Sequence, residues 1–205
     1  MITVKQLETG GYDSNFSYVL SGEQGETAVI DPCGDVEKIR NALPEKCIPK
    51  YILLTHSHHD HISGINSVLE FFRAPVAAYK TSGYHQVDIP LSHNDKLSLN
   101  NDIINCLHAP GHTDDSMIYH LDDDSAVFTG DTLFVDYIGF CRAKEMYNTL
   151  KNIVFPLNDS NIVFSGHNYG HKPFRKLGEE KKSNPFLNPV SVSFEKFKKA
   201  LTGLS

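Results

Sequence analysis

The sequence contains no tryptophan, three methionines and only four cysteines among its 205 residues. The cysteines form no C-x-x-C pair and no dense framework that would indicate a disulfide scaffold or a thiolate metal site. Scattered cysteines in a chain of this length favour reduced thiols in an intracellular protein, although the sequence leaves room for one disulfide. The four positions are Cys33, Cys47, Cys106 and Cys141.

Long apolar runs and an excess of positive charge are also missing. The longest apolar runs, such as Tyr51–Leu54, are far below the ~20 residues of a membrane span. The first residues, MITVKQLETGG, show neither the basic start and apolar stretch of a signal peptide nor the composition of a transit peptide. The net charge of −6 argues against a general nucleic-acid binder. We therefore expect a cytoplasmic protein that binds neither membranes nor nucleic acids.

The length and composition predict one globular domain over residues 1–205. Hydrophobic residues make up 40% and charged residues 21% of the chain, which is enough for a normal core. Short apolar strands and a few helices alternate twice, and this order predicts two β-sheet halves covered by helices. The predicted strands are Ile2–Leu7, Phe16–Leu20, Thr27–Asp31, Lys50–Thr55, Pro75–Tyr79, Ile103–His108, Met117–Leu121, Ala126–Thr129 and Asn161–Ser165. The predicted helices are Asp35–Leu43, a segment from Ile65 to Phe72, Glu145–Val154 and the Lys-rich stretch from about Pro173.

The sequence contains 11 histidines, an unusually high number, and three of them belong to one motif. The segment 55–64 contains H-x-H-x-D-H at His56, His58, Asp60 and His61, a pattern that chance would produce on the order of once in 10³ such chains. If the preceding strand continues, alternation of side chains places His56 and His58 on one side, where both can bind one cation. Asp60 and His61 can face a second cation, and His59 points away.

Three later apolar runs each end beside a glycine and a residue of metal-ligand type. These residues are His112 after Gly111, Asp131 after Gly130 and His167 after Gly166. Sites in layered α/β folds gather at such strand ends. Five histidines and two aspartates suffice for two metals with one bridging carboxylate, and they suit Zn²⁺, Fe²⁺ or Mn²⁺.

The order of these motifs resembles the metallo-β-lactamase superfamily from about Asn15 to Pro189, and most closely hydroxyacylglutathione hydrolase (glyoxalase II) and its relatives. The resemblance implies an α/β (α+β) fold, a four-layer αββα sandwich. It assigns His56, His58 and His112 to one Zn²⁺, Asp60, His61 and His167 to the second, and Asp131 to the bridge between them. Asn15 matches an early asparagine of the family. Asp60 and Asp131 are thereby the carboxylates of the catalytic site.

The chemistry expected of such a site is hydrolysis by a hydroxide that bridges the two metals. A thioester suits it, since a thiolate leaves readily. Glyoxalase II places Lys or Arg nine residues after the bridging Asp, where this sequence has Phe140; Arg142 is a possible substitute. Arg175 and Lys176 are candidates for a cationic rim that attracts an anionic substrate, although the basic tail equally suits a solvated helix. Tyr169 is a further candidate substrate contact.

Several functions share these motifs. The first is hydrolysis of a small thioester linked to glutathione. Carrier-protein thioesters are an alternative, because the segments around Gly139 and Gly166 resemble zinc hydrolases of polyketide assembly lines. A second alternative is a persulfide dioxygenase with one Fe²⁺ at His56, His112 and Asp131, and a third is a metal-bound sensor without catalysis. The stretch after His167 is too short for the helical domain of full-length glyoxalase II, and the chain is expected to be a monomer or homodimer.

Overall fold

Two mixed β-sheets of six strands each form the centre of the molecule. A computed structural model describes residues 1–203. In the first sheet the strands lie side by side in chain order: β1 (Thr3–Gly10), β2 (Asn15–Ser21), β3 (Glu26–Ile30), β4 (Ile48–Leu53), β5 (Val76–Tyr79) and β6 (Ile89–Leu91). The second sheet has the order β12-β11-β10-β9-β8-β7, with β7 (Asp95–Leu99), β8 (Asp102–His108), β9 (Met117–Leu121), β10 (Ala126–Gly130), β11 (Ile162–Ser165) and β12 (Arg175–Lys176).

Helices cover the outer face of each sheet. They are α1 (Val36–Ala42), α2 (His59–Ile62), α3 (Ile65–Phe71), α4 (Ala143–Thr149), α5 (Leu177–Ser183) and α6 (Phe194–Thr202), with a π-helical turn at Leu150–Val154 and a 3₁₀ turn at Asn188–Ser191. The longest, α6, has nine residues, so within residues 1–203 no helix reaches the length and apolarity needed to cross a bilayer. All four cysteines have free thiols.

Three apolar clusters hold the layers together. Phe16, Leu53, Tyr119 and Phe128 belong to the cluster between the two sheets. On the outer faces, Ile39 and Val68 and Met146, Leu150 and Phe197 pack helices onto the first and second sheet. Burial on both faces explains why the inner strands are continuous apolar runs. The predicted αββα sandwich is thus confirmed.

The direction of the parallel strands places their carboxyl ends, which carry the candidate site residues, at one edge of the two sheets. β3, β4 and β5 run parallel to one another in the first sheet, and β10 runs parallel to β11 in the second. Parallel neighbours present their carboxyl ends together, and sites form in the crevice beyond such ends. The chain returns to this edge after β3, β4, β10 and β11, with a direct bridge between Asn15 and His167.

The predicted elements differ from the observed ones at several places, including the short helix α2 within a segment predicted as a loop. β4 ends at Leu53 rather than Thr55, so His56 and His58 lie in a loop and strand alternation does not orient them. β6 and β7 were not predicted. β6 is a three-residue edge strand that contains Pro90, and β7 begins with two charged residues, Asp95 and Lys96, so it has only two buried apolar positions. The stretch from Pro173 is not simply helical, since Arg175–Lys176 pairs with β11 before α5 begins.

Candidate metal centre

The loop after β4 and the short helix α2 carry the H-x-H-x-D-H motif. His56 is buried and His58 exposed in the loop, while Asp60 and His61 lie on α2. His59, also on α2, points away as expected: its Nε2 lies 3.3 Å from the hydroxyl of Tyr12 on the exposed side. The turn into α2 therefore directs the His59 side chain to the exposed side and those of Asp60 and His61 toward the other potential ligands.

The second sheet supplies the remaining residues from the loops that follow β8, β10 and β11. The structure brings all seven side chains together in two groups, and in each group the potential ligand atoms lie within 4.8 Å of one another. The first group consists of His56, His58, His112 and Asp131, and the second of Asp60, His61 and His167. Each group combines loops from both sheets.

Asp131 lies between the two groups. Its Oδ2 is 3.5 Å from Nε2 of His112, and its Oδ1 is 3.3 Å from Nε2 of His61. Oδ2 also lies 3.3 Å from Nε2 of His167. Asp60 completes the second group, with Oδ2 at 3.5 Å from His61 and 3.4 Å from His167. A carboxylate in the position of Asp131 can reach a cation on either side.

Hydrogen bonds on the far side of the imidazoles orient their free nitrogens into the site. Nδ1 of His112 lies 2.8 Å from the carbonyl of Phe140, and Nδ1 of His167 lies 2.6 Å from the carbonyl of Asp13. A carbonyl can only accept, so each Nδ1 carries a proton, and Nε2 is the ring nitrogen that faces the site and would bind a metal. Across the first group, Nε2 of His112 lies 3.0 Å from Nδ1 of His58.

Asp31 directs two further histidines and was missed by the sequence reasoning. Its Oδ2 accepts a hydrogen bond from Nδ1 of His61 at 3.0 Å and from the hydroxyl of Thr55 at 2.5 Å. That hydroxyl in turn lies 3.2 Å from Nδ1 of His56. Asp31 follows the apolar strand β3 directly, but it has no glycine beside it, unlike His112, Asp131 and His167.

The residues present fit bound cations. His56 Nε2 and Asp131 Oδ1 are buried and have no hydrogen-bond partner within the described part of the chain, although buried polar atoms are normally satisfied. Both point into the group of ligand-type atoms. Imidazole and carboxylate donors in this number suit Zn²⁺, Fe²⁺ or Mn²⁺. The unsatisfied atoms are those that a cation would engage.

The pKa values of the buried groups reflect their mutual charges. Burial lowers the pKa of His56 well below its usual value, and the neighbouring His61 lowers it further. Burial would lower the pKa of His61 as well, but the charge of Asp131 raises it well above the usual value. Burial would raise the pKa of Asp131, yet the charge of His61 holds it well below the usual range. Asp131 is therefore ionised, and an ionised carboxylate is the form that can bind a cation.

Two glycines allow the backbone to approach the centre. A Cβ on Gly166 would lie 2.3 Å from Oδ1 of Asp131 and 2.7 Å from His61. A Cβ on Gly139 would lie 2.1 Å from the carbonyl of Asp131. Any larger residue would displace these side chains, which explains the glycine beside the predicted ligand His167.

A cavity of about 450 Å³ opens onto this centre. His112 and Asp131 form its floor, and its walls come from Phe134, Tyr169 and the segment 137–140. The Tyr169 ring stacks on His167 with a centroid distance of 4.8 Å, and its hydroxyl donates a hydrogen bond to Asp13. Tyr169 is thus in a position to contact a substrate and also supports a predicted ligand.

The predicted cationic contacts lie elsewhere. Within residues 1–203, neither Arg142, Arg175 nor Lys176 lines the cavity. Arg142 is paired with Asp114 and with Glu145. Arg175 is enclosed by three carboxylates, those of Asp136, Glu179 and Glu180, because β12 turns it toward α5. A role of these three residues in substrate binding stays a prediction.

Comparison with known proteins agrees with this geometry. The profile "Metallo-beta-lactamase superfamily" matches residues 10–98 and 106–167. A "Probable polyketide biosynthesis zinc-dependent hydrolase PksB" of Bacillus subtilis is 31% identical over 78% of this chain and 76% of its own length. A "Probable hydroxyacylglutathione hydrolase glo2" of Schizosaccharomyces pombe is 31% identical over 94% of this chain and 78% of its own length.

Among solved structures, that of ETHE1 from Myxococcus xanthus superimposes with a TM-score of 0.83 at 28% identity, covering 99% of this chain and 91% of the other. The matched profile extends over more than half of the chain and includes all seven residues of the two groups. The fold, the motifs in their order and these matches show that the chain belongs to the metallo-β-lactamase superfamily.

Proposed function

We propose that the chain is a hydrolase that binds two Zn²⁺ ions and cleaves thioesters. The observation that carries this proposal is the position of Asp131 between two groups of imidazoles and carboxylates. His56, His58 and His112 would hold one ion, Asp60, His61 and His167 the other, and Asp131 both. Fe²⁺ or Mn²⁺ suits the same donors.

Two bound divalent cations supply a water of lowered pKa and polarise a carbonyl. In the overall reaction, the water oxygen joins the carbonyl carbon, the carbon–sulfur bond breaks, and the products are a carboxylate, a thiol and one proton. The chain itself contributes orientation. Asn15 donates a hydrogen bond to Oδ2 of Asp60 at 2.9 Å, so that carboxylate is held facing the second group. Asp60 and Asp131 are the two carboxylates that would hold the cations and so neutralise part of their charge.

The relatives support a thioester as the substrate class. One is described as a hydroxyacylglutathione hydrolase and another as a zinc-dependent hydrolase of polyketide biosynthesis. The cavity above the centre is large enough for a small acyl group and part of its thiol. We propose that residues 1–205 act as one domain, and the free thiols of all four cysteines support a reducing compartment such as the cytoplasm.

An oxidoreductase that uses one Fe²⁺, of the persulfide dioxygenase type, is the second candidate. His56, His112 and Asp131 lie together in the first group, and two histidines with one carboxylate form the ligand set of many iron oxygenases. In that case the second group would remain without a catalytic ion. The two candidates therefore differ in metal content and in the need for oxygen.

Elemental analysis of protein purified without a chelating tag, followed by turnover assays, separates these functions. We expect two zinc ions per chain, hydrolysis of S-D-lactoylglutathione or of another acyl thioester, and no oxygen uptake. One iron per chain with oxygen consumption on glutathione persulfide would establish the second candidate. Tight metal binding without turnover of thioesters, lactones or phosphodiesters would indicate a sensor.

Asp131→Ala tests the centre directly. Loss of the carboxylate between the two groups should reduce the metal content to one ion or less and lower kcat by at least about 10³-fold. His59→Ala is the matched control, since this histidine belongs to the same motif but points away. Two bound metals and normal turnover in the Asp131 variant would contradict the assignment.

A further inference from the structure

We propose that the substrate enters along an apolar surface formed by the segment 137–140, and that Phe140 selects thioesters with an apolar acyl chain over those of glutathione. This inference rests on the proposed function. Phe140 is 97% exposed, the most exposed of the large hydrophobic side chains in residues 1–203. An exposed aromatic side chain at the mouth of a cavity is a typical contact for an apolar ligand.

The segment 137–140 borders two cavities. The first, described above, opens onto the metal centre. The second has a volume of about 370 Å³ and is bounded by the same four residues together with Cys141, Phe186 and Leu201. Apart from the thiol of Cys141 and the hydroxyl of Tyr137, the side chains that line this second cavity are apolar or aromatic. The proposed path of an acyl chain runs from the centre along this shared segment into the second cavity.

The backbone of the segment is attached to the metal centre, while the Phe140 side chain is free. The Gly139 N–H donates a hydrogen bond to the carbonyl of Asp131 at 3.0 Å. The Phe140 carbonyl accepts a hydrogen bond from His112 Nδ1 at 2.8 Å. The backbone position of Phe140 relative to the centre is thus held by His112 and Asp131, and changing the side chain leaves both hydrogen bonds in place.

Neither cavity offers a positively charged side chain to the carboxylates of a thiol such as glutathione. Among the described residues, no lysine or arginine lines either one. The nearest in sequence, Arg142, already pairs with Asp114 and Glu145. Glutathione carries two carboxylates. Moving them from water into these cavities is unfavourable, because no positively charged side chain would compensate for the lost hydration. An apolar acyl chain instead gains affinity with each methylene group that it buries.

A matched substrate series tests this selectivity. The protein, as purified with its metals, is assayed with acetyl, butyryl, hexanoyl and octanoyl thioesters of N-acetylcysteamine and with S-D-lactoylglutathione. We expect kcat/KM to rise with chain length, by up to about fourfold per methylene group until the cavities are filled. Calorimetry with an octyl thioether, which cannot be hydrolysed, measures binding independently of turnover.

Variants at Phe140 identify the residue responsible. Phe140→Ala should lower kcat/KM for the octanoyl ester and the affinity for the octyl thioether by about tenfold or more, with unchanged metal content. Phe140→Arg should raise kcat/KM for lactoylglutathione by about tenfold, because a free guanidinium then faces the carboxylates. Phe174→Ala, which changes an exposed aromatic side chain outside both cavities, is the control.

The outcomes distinguish a failure of the proposed thioester hydrolysis from a failure of the proposed selectivity for apolar acyl chains. If metal-loaded protein hydrolyses no thioester in the series, the proposed function fails. If it hydrolyses lactoylglutathione at least as efficiently as the octanoyl ester, or if the Phe140 variants behave like the Phe174 control, only the selectivity proposal is overturned.

Discussion

At the scale of single residues, buried groups behind the ligands decide how the metal centre is built. Asp31 has positive φ (48°) and is almost fully buried, and its carboxylate accepts hydrogen bonds from His61 and from both the backbone and hydroxyl of Thr55. The imidazole of His61, and through the Thr55 hydroxyl that of His56, is thereby held with Nε2 toward the site. Such partners raise the basicity of a ligand and hold its tautomer.

Asp31→Asn should weaken metal binding without removing a ligand. The amide NH₂ would compete with the His61 Nδ1–H for the same position, so we expect metal affinity to fall about 10- to 100-fold. Competition with a chromophoric chelator measures this change. Asp35→Asn, at an exposed aspartate whose side chain makes no cap hydrogen bond, should leave the affinity unaltered. Equal affinities in both variants would show that Asp31 does not orient the histidine.

A second buried carboxylate, Asp115, connects the loop before β9 to the loop after β5. It is 6% exposed and accepts hydrogen bonds from the Ser82 hydroxyl at 3.1 Å and from the Gly83 N–H at 3.4 Å. Burial would raise its pKa, but hydrogen bonds from Ser57 and other neighbouring groups lower it below the usual value. The folded state therefore prefers the ionised carboxylate.

This preference makes the effect of Asp115→Asn dependent on pH. At pH 7 the variant should lose about 1–3 kcal/mol of unfolding free energy. Because the folded pKa lies below the value of about 3.9 of an unperturbed aspartate, the ionised form stabilises the wild type above that value, and this contribution disappears as the pH falls through the folded pKa. Urea unfolding from pH 3.5 to 7 measures the difference. A constant difference, or an equal loss in the control Asp114→Asn, would contradict it.

At the scale of elements, helix α5 holds the segment that lines the cavity beside the candidate metal centre. Asn184, at its end, donates hydrogen bonds to the carbonyls of Phe134 and Tyr137 at 3.3 and 3.2 Å. Glu180 is fully buried and accepts a hydrogen bond from the Asp136 N–H at 3.0 Å. Arg175 neutralises this carboxylate through Nη1 at 3.1 Å. The basic residue predicted to attract substrate thus stabilises the wall of the cavity.

Asn184→Ala should loosen this wall. The Phe134 carbonyl would lose the amide donor, and the Tyr137 carbonyl would lose it while retaining the Phe134 N–H. We therefore expect a loss of about 1–3 kcal/mol of unfolding free energy and a KM raised several-fold for any thioester turned over, with unchanged metal content. Asn188→Ala, which removes exposed hydrogen bonds to α5 carbonyls, is the control for effects on the helix alone. An unchanged KM together with the loss of stability would separate α5 from substrate binding.

At the scale of the whole molecule, the metal centre joins the two sheets. Four of its residues follow β4 in the first sheet, and the other three follow β8, β10 and β11 in the second. Bound cations would therefore connect two halves that otherwise meet through the apolar cluster between the sheets. Ligands that bind only the folded state stabilise it by mass action.

Removal of metal should lower thermal stability. We expect EDTA dialysis to reduce Tm by at least about 5 °C, corresponding to a few kcal/mol for a domain of this size, and Zn²⁺ addition to restore it. Scanning calorimetry measures both. His59→Ala should show the full shift, whereas Asp131→Ala should show little, because it binds less metal from the start. A Tm independent of EDTA in the wild type would argue against cations that connect the sheets.

The sequence alone determined the fold class and the seven residues at the centre. Apolar runs such as Tyr51–Leu54 identify buried strands by composition, and a polar residue of ligand type directly after such a run is visible without coordinates. Asp31 also ends an apolar run, but no glycine adjoins it and no motif surrounds it, so the sequence did not single it out. The expected alternation of His56 and His58 failed because β4 ends two residues before the motif.

Only the tertiary structure decided which groups face each other across the chain. The carbonyls of Asp13 and Phe140 orient His167 and His112, and a backbone carbonyl has no sequence signature, since every residue carries one. The pairing of Arg175 with Asp136, separated by 39 positions in the sequence, depends on how β12 and α5 pack. Residue types determine what chemistry is available, whereas long-range packing determines which charges are neutralised and which cavity surfaces remain open to a ligand.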